Sequence, residues 1–320
     1  MQQTNYFETR ENPFILDIDE KDEYDYNDYL VIQAKLEEKN NSIDSFLESL
    51  YPEKGMTTTL DEMKRRTKRG VCQKIIDLSN NSVPTQQLYK VGDGGNGKHC
   101  IVSYNSLFID RYTVSNTILQ SLEEVGFNGH FLQLIGGFPN PSGREMKYAG
   151  VPYSFKIFMI LEAKKLGFEK VIWIDSVCYA VNNPENLFEM LSECDAVFRS
   201  FPANCFSNNT CENILFPKTI ELLTELTGRD VRNDRNINSI IFGLNLNSPM
   251  ITKFISEYYE MVELGLPFLS SFPEEIVFTT ILNKPEYQYI FNYNHERLYI
   301  NKVYISFEDA KQYQYHFVQR

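Results

Sequence analysis

The sequence has no apolar run approaching a membrane span, no Cys-x-x-Cys pair, one tryptophan, four histidines and a shortage of positive charge. Each absence closes off a class of protein. Crossing a bilayer takes about 20 consecutive, mostly apolar residues, so no membrane span is expected. The opening Met1-Gln2-Gln3-Thr4-Asn5-Tyr6 lacks the charged-then-apolar layout of a signal peptide, and a cytoplasmic location is the expectation. With 31 basic against 43 acidic residues the net charge is −12. A nucleic-acid binder needs a basic face to neutralise phosphates, so that class is set aside. Cys72, Cys100, Cys178, Cys194, Cys205 and Cys211 have no histidine partners at zinc spacing. Free buried thiols are therefore expected. Cys205 and Cys211 are close enough in sequence to close a small loop, which a reducing compartment disfavours.

What is present fits a folded globular chain. At 320 residues, 42% hydrophobic and 23% charged, the sequence has enough material for one large core or two ordinary ones. Its 20 tyrosines and 23 phenylalanines can stack on sugars and bases, but in a chain rich in Asn and Ile they fit codon bias better. That composition hints at a microbial or large-virus source.

Residues 1–30 are acidic and tyrosine-rich, as in Asp22-Glu23-Tyr24-Asp25-Tyr26-Asn27-Asp28-Tyr29. A calcium loop is excluded, because Lys21 breaks the ligand pattern and the turn glycine is missing. The expectation is a solvated or partner-binding arm, followed by helices over 29–39, 43–50 and 60–78. The last carries Lys64-Arg65-Arg66-Thr67-Lys68-Arg69. Such a run can meet RNA, anionic lipid or a polyanionic acceptor, but without interleaved aromatics a solvated helix face paired with nearby acids is the better reading. Val91-Gly92-Asp93-Gly94-Gly95-Asn96-Gly97-Lys98-His99 reads as a linker. It matches a phosphate loop apart from His99, yet that loop must open a helix, and an apolar strand follows instead. Residues 1–97 are accordingly expected to form an acidic arm and helical accessory region, and 98–320 the main domain.

From residue 100 onward strands and helices alternate, which predicts an α/β fold. Strands are expected at 100–104, 130–135, 171–174, 195–199 and 240–244. Helices are expected at 114–125, 155–166, 184–191, 218–227, 250–264 and 274–282. The most informative stretch runs from Val151-Pro152-Tyr153-Ser154-Phe155-Lys156 to Val171-Ile172-Trp173-Ile174-Asp175-Ser176. Phe155, Phe158, Met159, Ala163 and Leu166 recur at helical spacing, and Gly167 stops the helix. The four apolar residues before Asp175 are too greasy for a surface strand. They deliver a carboxylate at a strand's carboxyl end, where open α/β sheets bind ligands.

This helix, apolar strand and emerging acid resemble the core of GT-A fold glycosyltransferases, and the likeness extends through Asn238-Ser239-Ile240-Ile241-Phe242-Gly243 and Phe272-Pro273-Glu274-Glu275. The resemblance implies a GT-A-like (Rossmann-like) mixed, mostly parallel sheet flanked by helices, with an N-terminal helical accessory region. It also implies transfer of sugar from a nucleotide-sugar donor (UDP- or GDP-sugar) to a glycan, protein or small-molecule acceptor. The family's strand usually ends in Asp-x-Asp, which holds a divalent metal (Mn²⁺ or Mg²⁺) on the donor diphosphate. Here the chain reads Asp175-Ser176-Val177, so a metal on Asp175 would need a further ligand, and the resemblance points to the late histidine His316.

Transfer requires a grip on the nucleoside, neutralisation of the leaving diphosphate, and activation of the acceptor hydroxyl. Ser103, Tyr104 and Asn105 stand where the family holds the nucleoside. Lys156 lies in a helix's first turn, where a structural lysine gains nothing from the dipole, so an anion such as the donor phosphate is the expected partner. Asp175 and Ser176 are donor-side candidates, and Asn238 and Gly243 flank a strand where backbone can approach the donor sugar. Glu274 or Glu275, at a helix N-terminus that suits acids in any case, is the candidate catalytic base. A non-catalytic nucleotide-sugar- or glycan-binding descendant of the same fold is the rival reading.

Overall fold

The computed structural model describes residues 5–22, 24–52, 55–56, 58–69, 86–105, 109–135, 145–201, 214–293, 296–301, 304 and 306–319. Its centre is a six-stranded sheet built from β1 (Gln86–Val91), β2 (His99–Asn105), β3 (Gly129–Ile135), β4 (Lys170–Ile174), β6 (Ala196–Phe201) and β7 (Asn236–Asn245), in the order β1-β3-β2-β4-β7-β6. β2 lies parallel to both β3 and β4, while β1 and β7 are reversed. Four of the six strands thus share a direction, as the mixed, mostly parallel sheet of the sequence reading requires. β5 (Cys178–Ala180), β8 (Tyr299–Asn301) and β9 (Phe317–Gln319) form a second, three-stranded sheet in the order β5-β9-β8.

The helices fall on both sides of the main sheet. In chain order they are α1 (Tyr6–Thr9), α2 (Tyr26–Leu50), α3 (Leu60–Arg69), α4 (Ile109–Glu124), α5 (Phe155–Lys165), α6 (Glu185–Glu193), α7 (Pro217–Thr227), α8 (Pro249–Leu264), α9 (Pro273–Leu282) and α10 (Phe307–Gln312). Period-two alternation sorts the strand residues between the two sides. Cys100, Val102, Tyr104, Val171 and Trp173 share one core with α5, α8 and α9. Ile101, Ile172 and Ile174 share the other with α4 and α6. Residues of β4 after Lys170 are fully buried, as expected for a strand covered on both faces.

Three expectations change. The N-terminal segment is no solvated arm: Phe14 and Leu16 are buried in the larger core with Ile32, Leu36, Ile43 and Leu47 of α2 and Met63 of α3. Leu16 N–H donates to the Lys147 carbonyl at 2.9 Å, and the Asn12 amide donates to the carbonyls of Val262 and Glu263. Second, the break expected between 39 and 43 is absent, and α2 is continuous. Asn40-Asn41-Ser42 is a weak helix sequence but holds no Pro or Gly, and the buried stripe at 32, 36, 43 and 47 carries the helix through. Third, a boundary at 97/98 cuts through the main sheet, because β1 pairs with β3 along its whole length. The glycine stretch is the turn between β1 and β2. Among the thiols, Cys100, Cys178 and Cys194 are buried and free, while Cys72, Cys205 and Cys211 lie outside the described residues.

The N-terminal segment crosses the body at Gly150, where an added Cβ would meet the Phe14 carbonyl oxygen at 2.2 Å. Backbone cannot yield there without undocking the segment. Gly150→Ala is therefore expected to destabilise the fold by about 1–3 kcal/mol, read as a lower midpoint in urea, with residues 5–20 becoming the earliest protease-cleaved part of the chain.

Candidate active site

Asp175 follows the last residue of β4, and its backbone N–H is held by the Ile240 carbonyl of β7 at 2.9 Å. β7 is irregular against β6: Val197 stands opposite Gly243, yet Arg199 stands opposite Asn238. The extra β7 residues between those points include Ser239, and such bulges re-aim side chains at sites. α9 runs beside β7, fixed by the Thr279 hydroxyl, which accepts the Ile237 N–H at 2.9 Å. This brings the first turn of α9, with Glu274 and Glu275, against Asn238 and Ser239. α5 is positioned by Tyr258 of α8, whose hydroxyl donates to the Ser154 carbonyl at 3.1 Å, and it presents Lys156 to the same point.

There Lys156 Nζ lies 2.9 Å from Asp175 Oδ1 and 2.8 Å from Glu274 Oε1. It also donates to the Ser239 carbonyl at 3.0 Å and to Ser239 Oγ at 3.2 Å. The Ser239 hydroxyl in turn donates to Glu274 Oε1 at 2.8 Å, and the Trp173 indole N–H donates to Asp175 Oδ1 at 2.7 Å. Glu275 Oε1 accepts from the Asn238 side-chain amide at 2.8 Å and from Ser239 N–H at 3.3 Å. The Lys156 ammonium is buried, with only 3% of its side chain exposed, against 27% for Asp175 and 8% for Glu274.

Charge is distributed unevenly within this cluster. Burial alone would lower Lys156, but the charges and hydrogen bonds of Asp175 and Glu274 reverse that and hold it above its ordinary value. Burial raises Asp175, offset in part by Lys156 and the Trp173 N–H. Glu275 is raised as well: burial and the neighbouring Glu274 charge push it up to about 8, against the opposing pull of Lys156 and Ser239 N–H. At neutral pH it is mostly a neutral acid.

The sequence-predicted residues separate into three groups. Lys156, Asp175, Asn238, Glu274 and Glu275 come together. Lys156 does face anions, as its place in the helix leads one to expect, but they are two carboxylates of its own chain rather than a donor phosphate. Ser176 follows Asp175 in the turn to β5, and Cys178 N–H closes that turn on the Asp175 carbonyl at 2.9 Å. Ser103 and Asn105 project to the α4 side of the sheet, opposite Tyr104, whose ring packs 5.2 Å from Phe155. Among the described residues, Ser103 Oγ and both polar atoms of the Asn105 amide are buried without a hydrogen-bond partner. Gly243 is not at the site. It pairs with Ile172 and Val197 inside the sheet, and a Cβ there would meet Leu191 of α6 at 3.1 Å. Its absence of side chain serves helix packing.

His316 is not brought to Asp175. It stands beyond Phe317 in the β5–β9 pair, with its carbonyl accepting the N–H groups of Val181 and Asn182 and its ring 3.5 Å from the Asn186 amide. Among the described residues no group of three or more His, Cys, Asp or Glu side chains is arranged to hold a metal ion. Asp175 Oδ1 already receives both Lys156 and Trp173. The donors that the described residues bring to Asp175 do not fit a divalent ion.

Five contributors were not foreseen. Trp173 and Ser239 complete the cluster; nothing marked Trp173 beyond its being the one tryptophan, and Ser239 depends on the bulge. Gln133 is the in-register neighbour of Ser103, with its Nε2 buried and, among the described residues, unpartnered on the same α4 side. Arg199 lies between the rings of Phe201 and Tyr299, 4.7 and 4.8 Å from their centroids. Among the described residues it has no carboxylate within ion-pair distance. Tyr299, buried, is raised by burial and by the Glu275 charge.

Three cations of the basic run on α3 are paired locally. Lys64 pairs with Glu48, and Arg65 and Arg66 pair with Glu62. Arg66 goes further, donating to the Ser271 carbonyl at 2.7 Å with its guanidinium 4.6 Å from the Phe272 ring centroid. It thereby braces the turn that opens α9, two residues before Glu274.

No protein-family model and no curated protein sequence matches the chain. Among solved structures it is similar to mouse xyloside xylosyltransferase 1 in its apo form, at 10% identity and a TM-score of 0.39, over 70% of this chain and 97% of that one. It is also similar to a glycosyltransferase involved in glycosylation of the major capsid of PBCV-1, at 14% identity and a TM-score of 0.28, over 69% of this chain and 91% of that one.

Two outcomes are expected. Removing the ammonium by Lys156→Met leaves buried Glu274 facing half-buried Asp175 with no cation between them and should cost about 3–5 kcal/mol of stability. Most of that loss should return in Lys156→Met/Glu274→Gln, as a double-mutant cycle in urea would measure. Glu275 sits at about 8 in the folded chain against an ordinary value of 4.5. Its contribution to stability is therefore whole below the unfolded value and is lost as pH rises through about 8. Glu275→Gln should flatten the decline in stability over that window, seen by comparing urea midpoints at the two ends.

Proposed function

We propose that this chain is a glycosyltransferase that moves a sugar from a UDP- or GDP-sugar to a glycan, protein or small-molecule acceptor. The observation that carries the reading is Glu275, a carboxyl held near 8 at the first turn of α9 and one hydrogen bond from Asn238. It stands beside the acid that emerges from a buried strand at the carboxyl edge of the sheet. A base whose pKa lies near working pH is the group best suited to take a proton from a hydroxyl as it attacks. Asp175 is held by two partners at Oδ1, Lys156 and Trp173, and remains partly exposed, as a donor-side hydrogen-bond acceptor should be.

The remaining services divide between the two sides of the sheet edge. Ser103, Asn105 and Gln133 supply unsatisfied hydrogen-bonding atoms at adjacent register positions, and a buried amide without a partner is costly unless something else fills its bonds. A nucleoside offers matching donors and acceptors. Arg199, a cross-strand neighbour of Asn238, is the cation placed to meet the leaving diphosphate. Its guanidinium is preorganised by two aromatic rings, and among the described residues its charge is not consumed by a carboxylate. In this scheme Glu275 takes the acceptor proton as the acceptor oxygen bonds to the anomeric carbon, and the bond to the nucleoside diphosphate breaks with its electron pair. The base-like Glu275, the diphosphate-facing Arg199 and the choice of UDP or GDP are all parts of the proposal.

A non-catalytic descendant that binds a nucleotide sugar or glycan is the second reading, favoured by Val177 standing where the family's second acid would be. Calorimetry and free-nucleotide release over a panel of UDP- and GDP-sugars separate the two. Transferase activity should rise with pH toward about 8, and Glu275→Gln should remove that limb with a roughly 10²-fold lower kcat. Arg199→Ala should lower turnover while leaving the pH profile in place. Binding without release in wild type favours the second reading, and no binding to any donor removes both.

A further inference from the structure

Lys156 is unusual for a lysine in a helix's first turn: it is buried, and every one of its donors is spent. An ammonium offers three N–H bonds, and four oxygens converge on Nζ at 2.8 to 3.2 Å, from Asp175, Glu274 and Ser239 twice. A fifth surface is closed by the Trp173 ring, whose centroid lies 5.7 Å from Nζ. Nothing remains with which Lys156 could reach a phosphate. The spacing also identifies what the pocket is built to hold. Mg²⁺ demands oxygens at about 2.0–2.1 Å in near-octahedral order. The four oxygens here surround a nitrogen at ordinary hydrogen-bond length, so an ion at that centre would require every ligand to close in and the ammonium to leave.

Resting on the reading of this cluster as the transferase site, we infer that Lys156 is its resident cation, occupying the point between Asp175 and Glu274 where a divalent ion would otherwise sit, and that the protein binds its donor without a metal. The sequence carries the same message from the other side. Val177 supplies no second carboxylate, and one fixed positive charge against Asp175 and Glu274 already limits the negative charge a donor diphosphate would meet. A lysine tethered to α5 supplies that charge without an exchange equilibrium, and it cannot supply Lewis acidity. The positive charge opposite the leaving group then falls to Arg199, outside the cluster.

The test begins with Mn²⁺ alone, titrated into metal-stripped full-length protein and followed by electron paramagnetic resonance. Wild type should show no stoichiometric site. Lys156→Ala, which opens the space between the carboxylates, should gain one Mn²⁺ bound at least about 10-fold more tightly, together with a rise in melting temperature, and the gain should vanish in Lys156→Ala/Asp175→Asn. One tight Mn²⁺ in wild type that is lost in Asp175→Asn overturns the inference. So does a folded Lys156→Ala that gains none. Should Lys156→Ala fail to fold, wild type decides alone: the affinity for the best-bound nucleotide sugar should be equal in EDTA and in Mn²⁺, and about 10-fold or greater tightening by Mn²⁺ overturns the inference. The Mn²⁺ titration of wild type needs no donor, so an absence of nucleotide-sugar binding would sink the transferase reading and leave the assignment of Lys156 to be judged separately.

Discussion

An ammonium ion withdrawn from water is tolerated only where protein oxygens replace its hydration, and the core of this molecule is organised around meeting that demand. Lys156 comes from α5, Asp175 from the end of β4, Glu274 from α9 and Ser239 from a bulged β7. Four elements distant in sequence must therefore arrive within about 3 Å of one point, the length of a hydrogen bond. Removing the charge or either carboxylate leaves an uncompensated group in a region of low polarity. The cluster thus fixes the mutual placement of the elements that carry the site, and its rigidity is what holds Glu275 beside Asn238 at a raised pKa.

The supports of the cluster extend well beyond it. Tyr258 of α8 holds the start of α5, Thr279 ties α9 to β7, and Arg66 of α3 braces the turn at Ser271 and Phe272. α3 belongs to the part of the chain that composition alone marks as an accessory. Three of its cations act locally: Arg66 reaches the turn before the acid-bearing helix, and Lys64 and Arg65 are paired with Glu48 and Glu62. The N-terminal region and the α/β body share one core, and the site is a product of both.

How much of this was legible in the sequence depended on whether a local pattern existed to be read. The apolar strand ending at Asp175 and the helix before it were legible, because periodicity and a glycine stop are local. So were the acids at the start of α9. The partner of Lys156 was not, since helix position says that a cation is out of place but not which anion excuses it. Ser239 was named only as part of a strand, because a bulge leaves no sequence signature. Gly243 misled for the opposite reason: a glycine in a strand signals close approach, and here the approaching group is Leu191 rather than a ligand. Phe14 and Leu16 were hidden by the acidic residues around them, and β1 by a polar alternation on an edge strand whose side chains are largely exposed.

The docking of the N-terminal segment bears on the order in which the molecule is assembled. Asn12 is fastened to Val262 and Glu263, some 250 positions later in the chain, and Phe14 lies across Gly150. A ribosome delivers the segment well before its receptor. During synthesis at about 5–20 residues per second, Asn12 cannot be fastened until the end of α8 has emerged, so residues 12–16 wait for the final part of their seat while more than two hundred later residues are made.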